Sequence, residues 1–586
     1  MADSLTAHSW VTLTCFAIVI LFCIYPLQLP LLIPLGRGRT WRVSLDLATT
    51  PVLGVLFLLA TTSISGQVVA DGFVGSPEGI QPFSVVILVF ALAYICISID
   101  VTGFFEYVAF KVALRGGSNG KRLFLYLFLL STVMTIFTSN DVVVLTVTPI
   151  VCYLTEDSKT DRTAYLMSTF LACNIASMAL YIGNPTNIVV AQAFDINFIQ
   201  YSAWMILPTA ASLAIAYIMC WFVLKSEIPT EIPPPPPDAE YRYRIRRKWG
   251  AAIGCCVLLI CLTALMVVPI FSHVPVWQLT LPFAVVMIIK DVILDMWVDP
   301  KRTSGEIHVA NVEKGNQTNQ GSAEELVGGQ GVSTTDIHET MEMEERRISK
   351  SHAEIDGDEL PSKMGVDEEV IELRPVASFP PDESASVRSG RFTPKSKSRI
   401  DRVLPIVAQI TRRLPWDLVP FSFGMFMLCE ALSANGWVAL LAQAMARTSI
   451  GGHMVPIVFL TGIITTVACN IMNNLPMAIL FARVFAHPDF ASTVQGTIGS
   501  AADSDFTINS LRRGGMFALI VGSNLGANLT FIGSLAGLMW SDLLRKRSVI
   551  ISQGRFFKQC LLITPIVLVG SLAVLIAEFA VQGYYV

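Results

Sequence analysis

The residues best suited to chemistry in this chain are small and polar, and they sit inside apolar sequence. They are Ser139, Asn140 and Asp141; Asn174; Gly183, Asn184, Thr186 and Asn187; Asn473 and Asn474; and Asn524, Asn528, Thr530, Gly533 and Ser534. Amides, hydroxyls and exposed peptide groups can hold a small solute or an ion through dipoles. Asp141 adds a carboxylate. At membrane depth a carboxylate costs several kcal/mol unless it is hydrated, paired or protonated, so Asp141 is expected to bind a proton or a cation. Capping the helix that follows it is the competing role. Asn174, Asn524 and Asn528 suit a hydroxylated solute and suit hydrogen bonding between helices equally well. Asp100, Glu106 and Glu430 fall near predicted helix ends, where water reaches them.

Such residues need elements that carry them into a bilayer, and the composition supplies them. Of 586 residues, 53% are hydrophobic and 15% charged, against about a quarter charged in soluble domains. Apolar runs near the length of a span cover 11–33, 45–64, 83–99, 201–224, 249–271 and 278–294,. The first run is too long and too rich in proline for a cleaved signal peptide. Basic clusters at 37–42, 115–122, 242–248, 412–413 and 545–547 mark one side, the cytoplasmic one under the positive-inside rule. The loop 65–82 has acidic residues and no lysine or arginine, which puts it outside.

Two apolar stretches, 123–154 and 454–486, are too long for one span, and the first has basic residues at both ends. Each is expected to form a re-entrant hairpin, with residues 138–141 and 473–476 at the tips. Two more, 163–194 and 511–544, are interrupted by Gly183-Asn184-Pro185-Thr186-Asn187 and by residues 522–534, and are expected to be discontinuous helices,. Asn174 aligns with Asn524, Ile182 with Ile532 and Gly183 with Gly533 without a gap. An odd number of full spans per half, about five plus a hairpin, sets the halves in opposite orientations.

The chain therefore reads as an all-α membrane protein: an inverted-repeat transporter with about ten spanning helices and two re-entrant hairpins. The expected segments are a first transmembrane half (1–228), a Pro-rich and basic cytoplasmic linker (229–248), the first spans of the second half (249–294), a disordered cytoplasmic loop (295–415) and the rest of the second half (416–586). The loop is polar and poor in aromatics, with acidic and basic stretches,. Its Arg346-Arg347-Ile348-Ser349 fits a phosphorylation site.

Other functional classes lack their motifs. The run from Gly116 to Arg122 lacks Walker A spacing, no nucleophile triad stands out, and nothing supports nucleic-acid binding. An enzyme is not expected. The twelve cysteines sit in or beside apolar runs without paired ligand spacing, so apolar packing is their expected role and no resident metal is expected,.

Three stretches resemble the arsenite/antimonite efflux carriers of the ion-transporter superfamily, which also includes sodium/proton antiporters, silicon exporters and citrate-type carboxylate carriers. These are Ser139-Asn140-Asp141 running on to Thr148-Pro149-Ile150-Val151, then Met472-Asn473-Asn474-Leu475-Pro476, and residues 522–540 with Ile532-Gly533-Ser534-Leu535-Ala536 and Trp540. The resemblance spans both halves and omits the central loop. It implies a carrier with two re-entrant hairpins that moves trivalent arsenic or antimony outward, driven by protons or membrane potential.

The break Gly183–Asn187 looks more like the wider superfamily. An ionised Asp141 would repel a dianion, which ranks metalloid efflux first, sodium/proton antiport or silicic acid export next, and di- or tricarboxylate transport after them. A receptor or scaffold is the remote alternative, disfavoured because it has no need of paired re-entrant breaks. No cofactor is expected beyond a coupling proton or sodium ion. Expected partners are the lipid bilayer and a small inorganic solute, with a homodimer and a separate ATPase subunit left open. The expected location is the plasma membrane in preference to an internal one.

Overall fold

The computed structural model describes residues 5–35, 39–75, 80–154, 162–231, 239–272, 274–297, 403–449, 452–498 and 504–584. Helix α1 (Ala7–Ile24) starts on a capping box between Thr6 and Ser9,. The expected span over 11–33 ends early. Pro26, Pro30 and Pro34 remove helix donors one turn apart,, and the chain forms an antiparallel ribbon instead, β1 (Leu27–Leu35) against β2 (Arg39–Leu45). This ribbon departs from an otherwise helical fold. Next comes α2 (Thr50–Ala60), 11 residues or about 16 Å long,, which is too short for the full span expected over 45–64. Part of the stretch expected to be an outer loop is helical, as α3 (Gly66–Val74).

The rest of the first half is α4 (Pro82–Val101), α5 (Phe104–Gly116), α6 (Gly120–Phe137), α7 (Asn140–Leu154), α8 (Thr163–Ala176), α9 (Pro185–Ala193) and α10 (Phe198–Leu224). A short turn, α11 (Ala239–Arg242), precedes α12 (Lys248–Phe271) and α13 (Val276–Trp297). The second half continues with α14 (Pro405–Arg413), α15 (Leu418–Ala434), α16 (Trp437–Arg447), α17 (Met454–Met472), α18 (Asn474–Ala486), α19 (Pro488–Ile498), α20 (Ser504–Gly526), α21 (Leu535–Lys546) and α22 (Gln553–Val581). Among the described residues, eight helical stretches are long and apolar enough to cross a membrane.

The repeat is visible element by element. Helices α6 and α7 are joined through Thr138 and Ser139 alone, and α17 and α18 through Asn473, giving the two hairpins. The first arm of the first hairpin, α6, starts three residues earlier than expected and has 18 residues, whereas α17, with 19, has the expected bounds. Helices α8 and α9 are separated by a 3-10 turn at Tyr181–Gly183, and α20 and α21 by one at Phe531–Gly533, which matches the ungapped alignment of the breaks. A third pair of breaks was not foreseen: α4 gives way to α5 at Gly103 (φ 81°), and α15 to α16 at Gly436 (φ 82°). Both sit in the left-handed region, where a side chain is strained.

The halves exchange packing. Helix α15 of the second half rests on α2 and α3, while α4 of the first half rests on α12 and α14. Lys290 on α13 is buried, pairs with Asp291 at 2.9 Å and donates to Ser98 on α4 at 2.8 Å. The segment expected to be a disordered loop over 295–415 is ordered at its end. Asp295 accepts hydrogen bonds from Ile406 and Val407 N–H, which caps α14, and Arg413 of α14 pairs with Asp100 of α4 at 2.9 Å. A carboxylate at a helix N-terminus and a buried apolar face (Ile406, Ala408, Ile410) hold it there,. Residues 298–402, including the Ser349 motif, lie outside the described residues, as does the Pro-rich run 232–238.

Candidate functional site

Two hairpin tips and two helix breaks meet at one point. A small cavity of about 20 Å³, roughly one water's worth of space, is lined by Asn140, Asp141, Asn184, Pro185, Thr186, Leu418, Phe421, Asn473, Asn474, Leu475, Ser534, Leu535 and Ala536. Apart from Leu418 and Phe421, these are the opening residues of α7, α9, α18 and α21. Four helix N-termini therefore face the same space, each bringing unpaired N–H groups and roughly half a positive charge.

Each N-terminus is made by a local sequence choice. Asn184 caps α9 by accepting from Thr186 N–H at 3.1 Å, and Pro185 fills the first position, where no donor is needed,. Ser534 caps α21 by accepting from Gly537 N–H at 3.0 Å. Asn473 caps α18 at φ 69°, a conformation asparagine tolerates better than most residues,. Its amide donates to the Ile532 carbonyl at 3.0 Å, fixing the hairpin tip to the second break. Asp141 lies in the first turn of α7. Its backbone N–H donates to the Asn140 side chain at 3.0 Å, and its carboxylate accepts no hydrogen bond from the described residues. No lysine or arginine lines the cavity.

Behind this lining lies a second layer of buried amides that ties the two halves together. Asn140 donates to Asn174 at 3.1 Å, and Asn174 donates to Asn528 at 2.9 Å. Asn524 accepts from Ser177 at 2.9 Å and from Asn184 at 3.0 Å, and donates to Asn187 at 2.8 Å. Thr186 and Ser523 hydroxyls are 3.3 Å apart, and Asn187 also donates to the Ser177 carbonyl at 2.8 Å. The Asn528 amide nitrogen is buried without a hydrogen-bond partner among the described residues. Thr530 donates to Asn470 at 2.6 Å, and Asn470 donates to the Gly526 carbonyl at 3.0 Å.

The sequence-derived residues thus divide by position. Asn140, Asp141, Asn184, Thr186, Asn473, Asn474 and Ser534 line the cavity. Asn174, Asn187, Asn524, Asn528 and Thr530 form or join the amide layer behind it; Ser139, Gly183 and Gly533 shape the turns. Sequence reasoning missed Phe421 and Leu418, the apolar wall from α15, because one apolar residue in an apolar helix carries no signal. Asn470 stands one helical turn before Asn473 and was legible in principle. Among the three flanking carboxylates, Asp100 receives Thr146 of α7 as well as Arg413. Glu106 pairs with Arg246 at 3.4 Å, and Glu430 pairs with Arg483 of α18.

Tight packing holds this geometry. A methyl at Gly522 would overlap the Thr465 hydroxyl, and one at Gly526 would lie 2.8 Å from Cys469 Cβ, so the spacing of these two glycines lets α20 lie directly on α17,. Trp540, fully buried on α21, stacks on Phe170 of α8 at 4.3 Å and donates to Thr148 of α7 at 3.1 Å. This contact joins the first hairpin to the second break.

Apolar spanning helices, paired re-entrant hairpins and helix N-termini that converge from inverted halves define an integral membrane transporter. Comparison with known proteins agrees. Residues 9–297 match the citrate transporter family model and residues 403–577 the arsenical pump membrane protein model. The chain is thus similar to citrate transporters over its first half and to arsenical pump membrane proteins over its second. It is 22% identical to the arsenical pump membrane protein of Yersinia enterocolitica over 84% of this chain and 85% of that one. It is 23% identical to one from Escherichia coli over 83% and 84%. The YdaH transporter of Alcanivorax borkumensis aligns over 99% of this chain and 98% of that one, at 10% identity and a TM-score of 0.46.

Proposed function

We propose that this transporter is a secondary carrier that exports trivalent arsenic or antimony as neutral hydroxylated species, driven by a proton gradient or the membrane potential, from the plasma membrane. The observation that carries this reading is the cavity itself: four helix N-termini, amide and hydroxyl groups, no cationic side chain, and the Asp141 carboxylate. Magnitudes rank the solutes. Each N-terminus favours an anion by about 0.3–1 kcal/mol, so four together contribute roughly 1–4 kcal/mol per charge. Repulsion from an ionised Asp141 at about 5 Å and an effective dielectric of about 20 costs roughly 3 kcal/mol per charge. The two nearly cancel for an anion. A neutral oxyacid avoids the repulsion while still accepting hydrogen bonds from the N–H groups. The similarity to arsenical pumps over most of the chain supports the same solute.

Carboxylate transport is the second reading, favoured by the same four N-termini once Asp141 is protonated, and by the citrate transporter match over the first half. Proteoliposomes separate the two. Everted vesicles with an acid lumen should accumulate arsenite, antimonite should compete, and citrate should not. Asp141→Asn should abolish gradient-driven accumulation at normal protein abundance, since the amide cannot take up and release a proton. Uptake of citrate with no movement of arsenite, by correctly oriented protein, would overturn the metalloid assignment.

A further inference from the structure

The segment between the two halves is more ordered and more charged than a passive linker requires. Arg246 N–H donates to the Thr102 carbonyl at 2.9 Å, directly over the Gly103 break. Tyr243 is buried between the ring of Phe110 on α5 (5.2 Å, stacked) and that of Tyr153 on α7 (5.3 Å, edge-on). Glu240 pairs with Lys111 at 2.7 Å and Arg246 with Glu106, which ties both ends of the segment to α5. Alongside runs an open cleft of about 540 Å³ lined by Tyr107, Val108, Lys111, Val112, Leu114 and Arg115.

We propose that this cleft and the basic segment beside it bind an anionic phospholipid of the leaflet they face, its acyl chain along Val108, Val112 and Leu114 and its headgroup attracted by the exposed cations Arg115, Arg244 and Lys248. The charge distribution supports this occupant. Arg115 and Lys248 are exposed; Arg244 is exposed too and lies over the Tyr241 ring at 4.1 Å, with its guanidinium donating to the Tyr241 hydroxyl. None of the three has a carboxylate partner among the described residues. Tyr241 on α11 and Trp249 at the start of α12, 69% and 81% exposed, lie on either side of Arg244 and Lys248 in the chain, and such aromatics settle at headgroup level. Clustered basic residues next to a span attract anionic lipid at about 1 kcal/mol each.

The repeat supplies an internal control. The second break, at Gly436, is also tied to the opposite half, with the Trp437 side chain donating to the Ser9 carbonyl and the Asn435 side chain to the Ser63 carbonyl. Residues 1–9 contain no lysine or arginine. Bridging a break therefore does not need basic residues.

The test uses full-length protein in detergent, titrated with dioleoylphosphatidylserine or dioleoylphosphatidylcholine and read by native mass spectrometry. Phosphatidylserine should bind in preference. Arg115→Gln, Arg244→Gln and Lys248→Gln should each weaken it about fivefold, while Lys225→Gln, an exposed lysine at the end of α10, should not. Val108→Trp, which fills the cleft, should reduce binding without a charge change. In nanodiscs, phosphatidylserine should slow amide exchange over residues 239–247 in the wild type and not in the triple glutamine variant. Unchanged phosphatidylserine preference in that variant overturns the proposal. Equal competition by soluble glycerophosphoserine does so as well, because the site would then read a free phosphate and not a lipid.

Discussion

Asn524 is the residue on which the two halves depend most directly. It accepts from Ser177 and Asn184 and donates to Asn187, all buried and all from the first half. Asn524→Ala would leave the Asn184 amide nitrogen and the Asn187 amide oxygen without these partners, at about 1–3 kcal/mol for each, while Ser177 can still donate to the Asn174 carbonyl. Asn528→Ala removes one bond, to Asn174, together with an amide nitrogen that already lacks a partner among the described residues. The first variant should therefore lower the melting midpoint in detergent by several degrees more than the second. Equal shifts would mean the amide layer does not join the halves energetically. At Asp141 the carboxylate caps no backbone N–H among the described residues, and the residue lines the cavity.

At the scale of elements, the third pair of breaks offers a clean comparison. Gly103 and Gly436 have nearly the same left-handed φ, so alanine at either should cost roughly 1–2 kcal/mol from the backbone alone,. Their surroundings differ. A Cβ at Gly103 would lie 3.1 Å from the Arg244 carbonyl oxygen, whereas at Gly436 the nearest atom is Leu5 Cδ2 at 3.9 Å. Gly103→Ala should destabilise more than Gly436→Ala in thermal unfolding, and should raise amide exchange in residues 244–246. If the two cost the same, the basic segment is not seated on the first break. The hairpins and the α8–α9 and α20–α21 breaks were legible because run length and the polar and glycine residues that interrupt the runs signal them. The glycine breaks were not, since a single glycine in an apolar run has many readings.

For the whole molecule, the inverted arrangement predicts sidedness. Cysteines replacing Ser118 and Ser548 should react with impermeant maleimide only from the side of the basic loops, and those replacing Gln67 and Gln582 only from the other. All four positions are exposed. Labelling of Ser118 and Gln67 variants from one side would break the inverted register. The capping of α14 by Asp295 makes a further prediction. Because the chain is anchored again directly after residues 298–402, deletion of residues 301–391 should leave solute flux largely intact. Loss of flux in folded, membrane-inserted deletion protein would assign the loop an essential part in transport.

Sequence alone determined that this chain lies in a membrane, that it repeats, and where its polar interruptions fall, since each follows from hydropathy, run length and residue type. It also pointed to Asp141 and the paired asparagines, because polar groups at membrane depth are costly and stand out against apolar neighbours. Only the tertiary structure decided which of them line a shared cavity and which brace it from behind: Asn184 and Asn524 look alike in sequence, yet one caps a helix at the cavity and the other joins the halves. It alone supplied Phe421, the folding back of residues 27–45 as a ribbon, and the seating of residues 240–246 over Gly103. The physical reason is common to all three. Hydropathy reports how deep a residue lies, while partner and direction depend on elements brought together from distant parts of the chain, and no local pattern records that.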